Sequence, residues 1–160
     1  MKKGIVILAA VSMWILSDLR VDSAENEYLS EEIVTYTEEI GEEYGICPEF
    51  IQAIIERESR GDKDANNGYC IGLMQIYKKY HKDRMERLGV SDLYDPYSNI
   101  LVGADYLAEL FDDYEDPYLV LMVYNMGYRK AISLYNNEQY TDYAVEICER
   151  SVELERLHGK

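Results

Sequence analysis

The chain has 160 residues, 48% of them hydrophobic, which suffices for one domain with a buried core. Its formal net charge of −15 at pH 7 disfavours binding to nucleic acid or anionic lipid, because an acidic surface repels phosphate groups. The sequence has two histidines and neither an HExxH nor a CxxC motif, which argues against a zinc enzyme. No glycine-rich nucleotide motif occurs, so we expect neither a metal nor a cofactor.

The amino-terminal segment is typical of an export signal. Two lysines precede an apolar run of 13 residues, 4–16. Such a run fits a signal-peptide core of about 7–15 residues and is shorter than the roughly 20 that span a bilayer. Val21 and Ser23 fit the positions before a cleavage site after residue 23. We therefore expect residues 1–23 to be a signal peptide or, alternatively, an uncleaved signal anchor in the membrane, and residues 24–160 to form an extracytoplasmic domain.

Hydrophobic residues in the remaining chain recur at spacings of three and four, which is the period of an α-helix. The predicted helices cover 25–44, 48–59 and 73–88, and four more begin at Pro96, at Pro117, after Gly127 and at a cap formed by Thr141. The polar segment 61–70 predicts a loop or a small hairpin. The charged segment 151–160 predicts a fraying helix end. The expected class is therefore mainly α, with at most a small β-hairpin.

The three cysteines are Cys47, Cys70 and Cys148. An exported protein can form disulfides, but an odd number leaves at least one thiol unpaired within a monomer. A bond between Cys47 and Cys70 is one hypothesis, and three buried free thiols are the alternative. The sequence leaves the pairing open.

Glu58 is a carboxylate at an unusual position for an acidic residue. It follows Ile54 by four residues, Ile51 by seven and Phe50 by eight, which places it on the apolar face of its own helix. A carboxyl group at the edge of a core loses solvation, and its pKa rises. Such a group keeps a proton that a general acid can donate near neutral pH. The alternative is an ordinary helix-end glutamate paired with a neighbouring arginine.

Four motifs accompany this glutamate along the chain: Glu-Ser at 58–59, GLMQI at 72–76, DPYSNI at 95–100 and YNMG at 124–127. Their order and spacing resemble the soluble lytic transglycosylase family, whose domain is lysozyme-like and is related to goose-type lysozymes. The resemblance covers residues 46–143. It implies a lysozyme-like helical domain over 24–160 that acts on the glycan strands of peptidoglycan.

The resemblance also implies roles for individual residues. Glu58 matches the catalytic acid/base, Gln75 matches a residue lining the sugar groove, and Tyr124 matches the tyrosine beside the catalytic carboxyl. The other residues expected to shape the groove or contact substrate are Ser59, Gly72, Met74, Asn125 and, as a flat face for a sugar ring, Tyr77. For Met74, packing alone is the alternative.

The sequence departs from the family pattern in three places. The segment 66–70, NNGYC, replaces a longer serine-containing stretch, and either asparagine is a candidate to replace that serine. After GLMQI the family tends to have proline and threonine, whereas this chain has YKKY at 77–80. Met126 stands where an alanine is more usual in the YNxG motif and is expected to narrow the groove. None of these differences removes Glu58.

The chemistry implied by the resemblance is cleavage of the β-1,4 bond between N-acetylmuramic acid and N-acetylglucosamine. No second carboxylate matches a catalytic position of the family, although Asp62, Asp64 and Asp95 stay candidates. The N-acetyl group of the substrate is therefore expected to assist and to yield a 1,6-anhydro product. One alternative is a muramidase that hydrolyses the same bond. Another is a degenerate glycan-binding or scaffold domain of a secretion or conjugation apparatus, and a third is a cysteine peptidase using Cys47 or Cys70 with His81.

Overall fold

The computed structural model describes residues 28–160, so the predicted export signal and the start of the first predicted helix lie outside the described residues. In chain order the elements are α1 (Glu31–Tyr44), α2 (Pro48–Ser59), β1 (Cys70–Ile71), β2 (Ile76–Tyr77), α3 (Lys82–Arg87), α4 (Pro96–Asp113), α5 (Pro117–Met126), α6 (Tyr128–Tyr135) and α7 (Asp142–Leu157). The strands pair antiparallel as a two-stranded hairpin. This confirms the mainly α class. Between residues 28 and 160, no helix combines the length and apolarity needed to cross a membrane.

Helix starts follow the local capping signals in the sequence. The side chains of Asp95, Asp116 and Thr141 each accept a hydrogen bond from a backbone N–H in the first turn of α4, α5 and α7. Each cap satisfies an N–H group that has no partner within the helix. The predicted starts of these three helices are confirmed. Ser30 caps α1 in the same way, so this helix begins at Glu31, later than the predicted residue 25.

The core is built around α2, which packs against α1 and α7. Ile51, Ile54 and Ile55 are 0% exposed. Removing an aliphatic side chain of this size from water contributes about 1.5–3 kcal/mol. These contacts fix α2 and therefore fix the position of Glu58 in its last turn.

The predicted helix over 73–88 is wrong over most of its length. Strand β2 occupies part of this range, and the helix is limited to Lys82–Arg87. Gln75 has a φ of +49°, which an α-helix does not tolerate. The N–H of Met74 donates to Asn99 Oδ1 at 2.8 Å instead of to a helical carbonyl. A buried side chain from α4 therefore overrides the local helical pattern.

The carboxyl-terminal segment is anchored, contrary to the predicted fraying. Glu49 in α2 is 0% exposed, and its carboxylate accepts hydrogen bonds from Lys160 Nζ at 2.7 Å and His158 Nδ1 at 2.8 Å. Although burial raises the pKa of Glu49, the hydrogen bonds from Lys160 and His158 lower it to about 2. The end of the chain is thus tied to the start of α2.

All three cysteines, each within the described part of the chain, are free thiols. The hypothesis of a Cys47–Cys70 bond is therefore wrong. Cys47 precedes α2, whereas Cys70 lies in the same cleft as Glu58 in the last turn of that helix. The length of α2 is about 17 Å at a rise of about 1.5 Å per residue, which far exceeds the Cα separation of a disulfide.

Candidate active site

Glu58 lies in the last turn of α2, partly buried at the wall of a cleft of about 700 Å³. Its Oε1 accepts a hydrogen bond from the hydroxyl of Tyr143 at 2.6 Å. Burial raises the pKa of Glu58, although the Tyr143 hydrogen bond and the charge of Arg57 oppose the shift. The group therefore keeps its proton to a higher pH than an exposed glutamate does.

Tyr143 is the site residue that the sequence analysis missed. It belongs to the first turn of α7, which Thr141 caps, and its side chain is 8% exposed. The Arg57 guanidinium lies 5.6 Å from the centre of its ring. No local pattern in the sequence links Tyr143 to Glu58, which lies 85 residues earlier.

Five of the predicted site residues line this cleft, and they are Glu58, Gln75, Tyr77, Tyr124 and Asn125. They come from α2, from the hairpin and from α5, which are far apart in sequence. The fold therefore brings together the ends of three motifs around one carboxyl group. Glu58 and Glu109 are the carboxylates among the lining residues of this part of the chain.

The hydroxyl of Tyr124 binds the motif loop, 72–76. Its hydroxyl donates to the backbone oxygen of Met74 at 2.8 Å, and its ring lies 5.4 Å from the ring of Tyr106. Burial, followed by the charge of Glu58, raises the pKa of Tyr124 well above its ordinary value. The phenol therefore stays protonated and holds the loop that forms one edge of the cleft.

Asn99 is a second support of this loop. Its Nδ2 donates to the backbone oxygens of Ile71 and Leu93, both at 2.8 Å, while its Oδ1 accepts from Met74 N. Gly72 has a φ of +77°, and a Cβ there would lie 2.6 Å from the backbone oxygen of Leu93. Only glycine fits this position without moving the loop.

Three predicted substrate-binding residues do not line the cleft, namely Ser59, Gly72 and Met74. The Ser59 hydroxyl donates to the Ile55 oxygen at 3.2 Å, one turn earlier in its own helix. The Met74 side chain is 0% exposed, so it fills the core. These three residues therefore shape the wall of the cleft through packing and backbone geometry, which is one of the two roles expected for them, and direct contact with substrate stays a prediction.

Gln75 fixes the loop that precedes the hairpin. Its Nε2 donates to the backbone oxygens of Gly72 at 3.0 Å and Ala65 at 3.2 Å, and its Oε1 accepts from Asn67 Nδ2 at 3.3 Å. Asn67 in turn accepts from the backbone N–H groups of the next turn. Of the two asparagines considered as replacements for the missing serine, Asn67 is the one that lines the cleft.

A charged cluster lies along another part of the same cleft. Arg84 donates from Nε to Asp105 at 2.7 Å and from Nη1 to His81 Nδ1 at 2.8 Å, and its Nη2 contacts Glu109. Its guanidinium also lies 4.9 Å from the ring centre of Tyr106. Burial and the charge of Arg84 lower the pKa of His81 to about 4. The imidazole is therefore neutral at physiological pH and, as an acceptor at Nδ1, carries its proton on Nε2.

This geometry does not support a cysteine peptidase. Burial and the charge of Glu58 raise the pKa of the Cys70 thiol against a lowering hydrogen bond from Asn67, which is the opposite of an activated nucleophile. The His81 Nδ1 atom is occupied by Arg84. Cys47 lies at the other end of α2, where burial and Glu49 raise its thiol pKa to about 11.

Comparison with known proteins identifies the family. The family model of the transglycosylase SLT domain matches residues 35–146, which is more than half of the chain. The chain therefore belongs to the transglycosylase SLT domain family, in agreement with its resemblance to soluble lytic transglycosylases.

Individual relatives match parts of the chain. The chain is 33% identical over 90 residues to a transglycosylase of Enterobacteria phage PRD1, with 56% of this chain and 32% of the phage protein covered. It is 36% identical over 99 residues to membrane-bound lytic murein transglycosylase F of Desulfosudis oleivorans, covering 57% of this chain and 21% of that protein. The chain thus spans about a third or less of these relatives.

A solved structure has the same fold. An inactive mutant of lytic transglycosylase Slt from Pseudomonas aeruginosa superposes with a TM-score of 0.69 at 20% identity, covering 78% of this chain and 24% of that one. The lysozyme-like architecture expected from the resemblance is therefore confirmed.

Proposed function

We propose that this chain is a peptidoglycan lytic transglycosylase in which Glu58 acts first as general acid and then as general base. The observation that carries the proposal is the partly buried Glu58 carboxyl in the cleft, bound on Oε1 by the Tyr143 hydroxyl. Within residues 28–160, Oε2 has no protein hydrogen-bond partner. The proposed exchangeable proton is therefore the one on Oε2, the oxygen left free for a ligand.

In the first step, the Oε2 proton passes to the oxygen between the two sugars, and the bond from this oxygen to C1 of N-acetylmuramic acid breaks. The acetamido oxygen of the same sugar bonds to C1 and takes the positive charge. This substrate assistance replaces the second carboxylate of ordinary glycosidases. The Tyr143 hydroxyl stabilises the carboxylate that Glu58 becomes, which is the state that its hydrogen bond favours.

In the second step, the Glu58 carboxylate accepts the proton of the 6-hydroxyl of that sugar. The 6-oxygen attacks C1 and the acetamido oxygen leaves, which gives a 1,6-anhydro end and regenerates the protonated acid. Among the described residues, Glu109 is the other carboxylate that lines the cleft, and it is held by Arg84. The proposed 1,6-anhydro product rests on the resemblance to lytic transglycosylases, and entry of water in place of the 6-hydroxyl would give hydrolysis at the same site.

The proposed location follows from the substrate. Peptidoglycan lies outside the cytoplasm, so we propose an extracytoplasmic site of action, in line with the predicted export signal. An association with secretion or conjugation machinery stays a prediction. A degenerate scaffold domain is the less favoured alternative, because a scaffold has no need of a partly buried glutamate with a raised pKa in a cleft.

The test is digestion of purified peptidoglycan followed by mass spectrometry of the released muropeptides. The wild type should release products one water lighter than hydrolytic muropeptides, and Glu58→Gln should release none. Glu86→Gln, at an exposed position on α3, is the matched control and should cleave like the wild type. Hydrated products would identify a muramidase instead, and cleavage by Glu58→Gln at the wild-type rate would refute the assigned role.

A further inference from the structure

Three tyrosines form a continuous cluster at the hairpin edge of the cleft. The ring centre of Tyr77 lies 5.8 Å from that of Tyr69 and 4.7 Å from that of Tyr80, both in edge-to-face geometry. Tyr77 and Tyr80 line the cleft that contains Glu58, and Tyr69 extends the cluster away from it. We call Tyr69, Tyr77 and Tyr80 the tyrosine platform.

The outer members of the platform are unusually exposed for aromatic residues. Tyr80 is 73% exposed and Tyr69 is 68% exposed. Among the described residues, the hydroxyl groups of the three tyrosines have no protein hydrogen-bond partner. Rings that stay exposed at the surface contribute little to the stability of the fold. They do offer a ligand flat apolar faces beside hydroxyl groups that are free to form hydrogen bonds.

Three lysines lie next to the platform along the chain, although the whole chain is strongly acidic. Lys78 and Lys79 separate Tyr77 from Tyr80, and Lys82 follows one turn later. All three lysines are exposed, and none forms a salt bridge with another residue of the described chain. The surface beside the cleft therefore combines aromatic faces with unpaired positive charge.

We propose that the tyrosine platform binds the glycan strand of peptidoglycan beyond the cleft, with sugar rings on the tyrosines and substrate carboxylates near the lysines. This inference rests on the proposed function, which supplies the ligand. The platform is continuous with the cleft, and peptidoglycan carries carboxylates on its peptide stems, or on its lactyl groups where the stems have been removed. The YKKY segment that departs from the family pattern thus gives this acidic chain its attraction for an anionic polymer.

Binding is measured without cleavage by placing all variants in the Glu58→Gln protein. Purified cell-wall sacculi are titrated and sedimented, and the unbound protein is quantified. Tyr69→Ala with Tyr80→Ala should weaken binding about tenfold, because two ring faces are lost. The matched control is Tyr97→Ala with Tyr140→Ala, which removes two exposed tyrosines that do not line this cleft. The control should bind like the parent.

The charges are tested separately through Lys78→Gln with Lys79→Gln. This variant should bind more weakly at low salt and should lose most of the salt dependence of the parent, because salt screens exposed charges. Thermal unfolding of every variant should match the parent, since the changed side chains are exposed. Tyr77 is left intact because it is partly buried.

Equal binding by the parent and the platform variant overturns the inference, as does an equal loss in the control variant. Undetectable binding by the parent also overturns it, and so does a change in self-association with unchanged binding to sacculi. Failure of the proposed function would give a different result from failure of this inference. In that case the protein with Glu58 intact releases no anhydro product, whereas platform-dependent binding to sacculi persists.

Discussion

The two ends of α2 carry glutamates whose proton affinities are shifted in opposite directions. Glu49 in the first turn is buried, and its pKa falls to about 2 because Lys160 and His158 donate to it. Glu58 in the last turn is partly buried, and its pKa rises because one neutral hydroxyl and a more distant Arg57 do not offset the loss of water. Burial acts on both groups, and the Lys160 ammonium at hydrogen-bond distance from Glu49, which Glu58 lacks, accounts for the opposite sign.

This difference distinguishes Glu49, which stabilises the fold as an anion, from Glu58, which is proposed to transfer a proton. A fixed anion at the start of α2 suits the positive end of the helix dipole and anchors the chain terminus. A carboxyl at the other end lies beside the negative end of the dipole, which also favours the protonated form. Under the proposed function, one helix thus carries a permanent charge that contributes to stability and a transferable proton that serves catalysis.

The largest expected effect concerns Glu58. Glu58→Gln should lower the cleavage rate by about 10²–10⁴, because general acid–base catalysis is lost. Its free energy of unfolding near neutral pH should stay the same or rise, because a neutral amide is cheaper to bury than a carboxylate. Release of soluble muropeptides and urea unfolding measure the two quantities. A large loss of stability would show that Glu58, like Glu49, stabilises the fold, and would contradict the proposed difference between the two glutamates.

Glu49→Gln should show the opposite pattern. The variant loses the charge that pairs with Lys160 and His158, so its free energy of unfolding should fall by about 2–3 kcal/mol, with the lower figure reflecting the exposed lysine. Activity per folded molecule should be retained. A Glu155→Gln control removes a carboxylate near Cys47, and it leaves intact the hydrogen bond from Lys160 N to the backbone oxygen of residue 155. Equal stabilities of the two variants would contradict the anchoring role.

The pH dependence of stability distinguishes the same two groups. The folded pKa of Glu49 lies below its ordinary value of 4.5. The unfolded chain therefore binds more protons, and stability is present above about pH 4.5 and is lost as the pH falls towards 2. Unfolding curves across this window should show a steeper decline for the wild type than for Glu49→Gln. Parallel curves would mean that Glu49 does not contribute to acid unfolding.

Tyr143→Phe should give a moderate effect. The substitution removes the hydroxyl that lowers the pKa of Glu58, so that pKa should rise further. The rate should fall by about tenfold, because the carboxylate formed in the first step loses a charge-assisted hydrogen bond. The limb of the pH–rate profile that reports Glu58 should move to higher pH. An unmoved limb would show that the hydroxyl does not act on the carboxyl.

Tyr124→Phe should give the smallest effect. It removes the hydrogen bond to the Met74 oxygen and should cost about 1 kcal/mol of stability. Cleavage should weaken because the loop edge loses a support, while the pH–rate profile should keep its position. A shifted profile would instead indicate a direct role beside Glu58.

Local signals predicted most of the fold. The starts of α4, α5 and α7 follow from single capping residues, and each signal lies within a few residues of the element it controls. The same reasoning wrongly predicted a helix over 73–88. There the side chain of Asn99 in α4 forms hydrogen bonds with the backbone of Ile71 and Met74, which holds the segment as a loop. It also wrongly predicted a fraying end over 151–160, because the residue that binds 158 and 160, Glu49, lies more than 100 positions earlier in the chain.

The candidate site divides in the same way. Glu58 was predictable because its position on an apolar face is a property of one helix. Tyr143 was not, because its contact with Glu58 joins residues 85 positions apart through the packing of α7 against α2. For Gly72 and Met74, motif position alone does not distinguish a residue that lines a cleft from one that packs behind it, and the structure places neither among the lining residues.

The proton affinity of Glu58 can be measured directly by titrating its side-chain carboxyl with ¹³C NMR, assigned by the signal that disappears in Glu58→Gln. The account predicts a pKa above the ordinary value of 4.5, and a still higher value in Tyr143→Phe. A carboxyl that titrates at or below the ordinary value in the free protein would contradict the assignment of Glu58 as the proton donor.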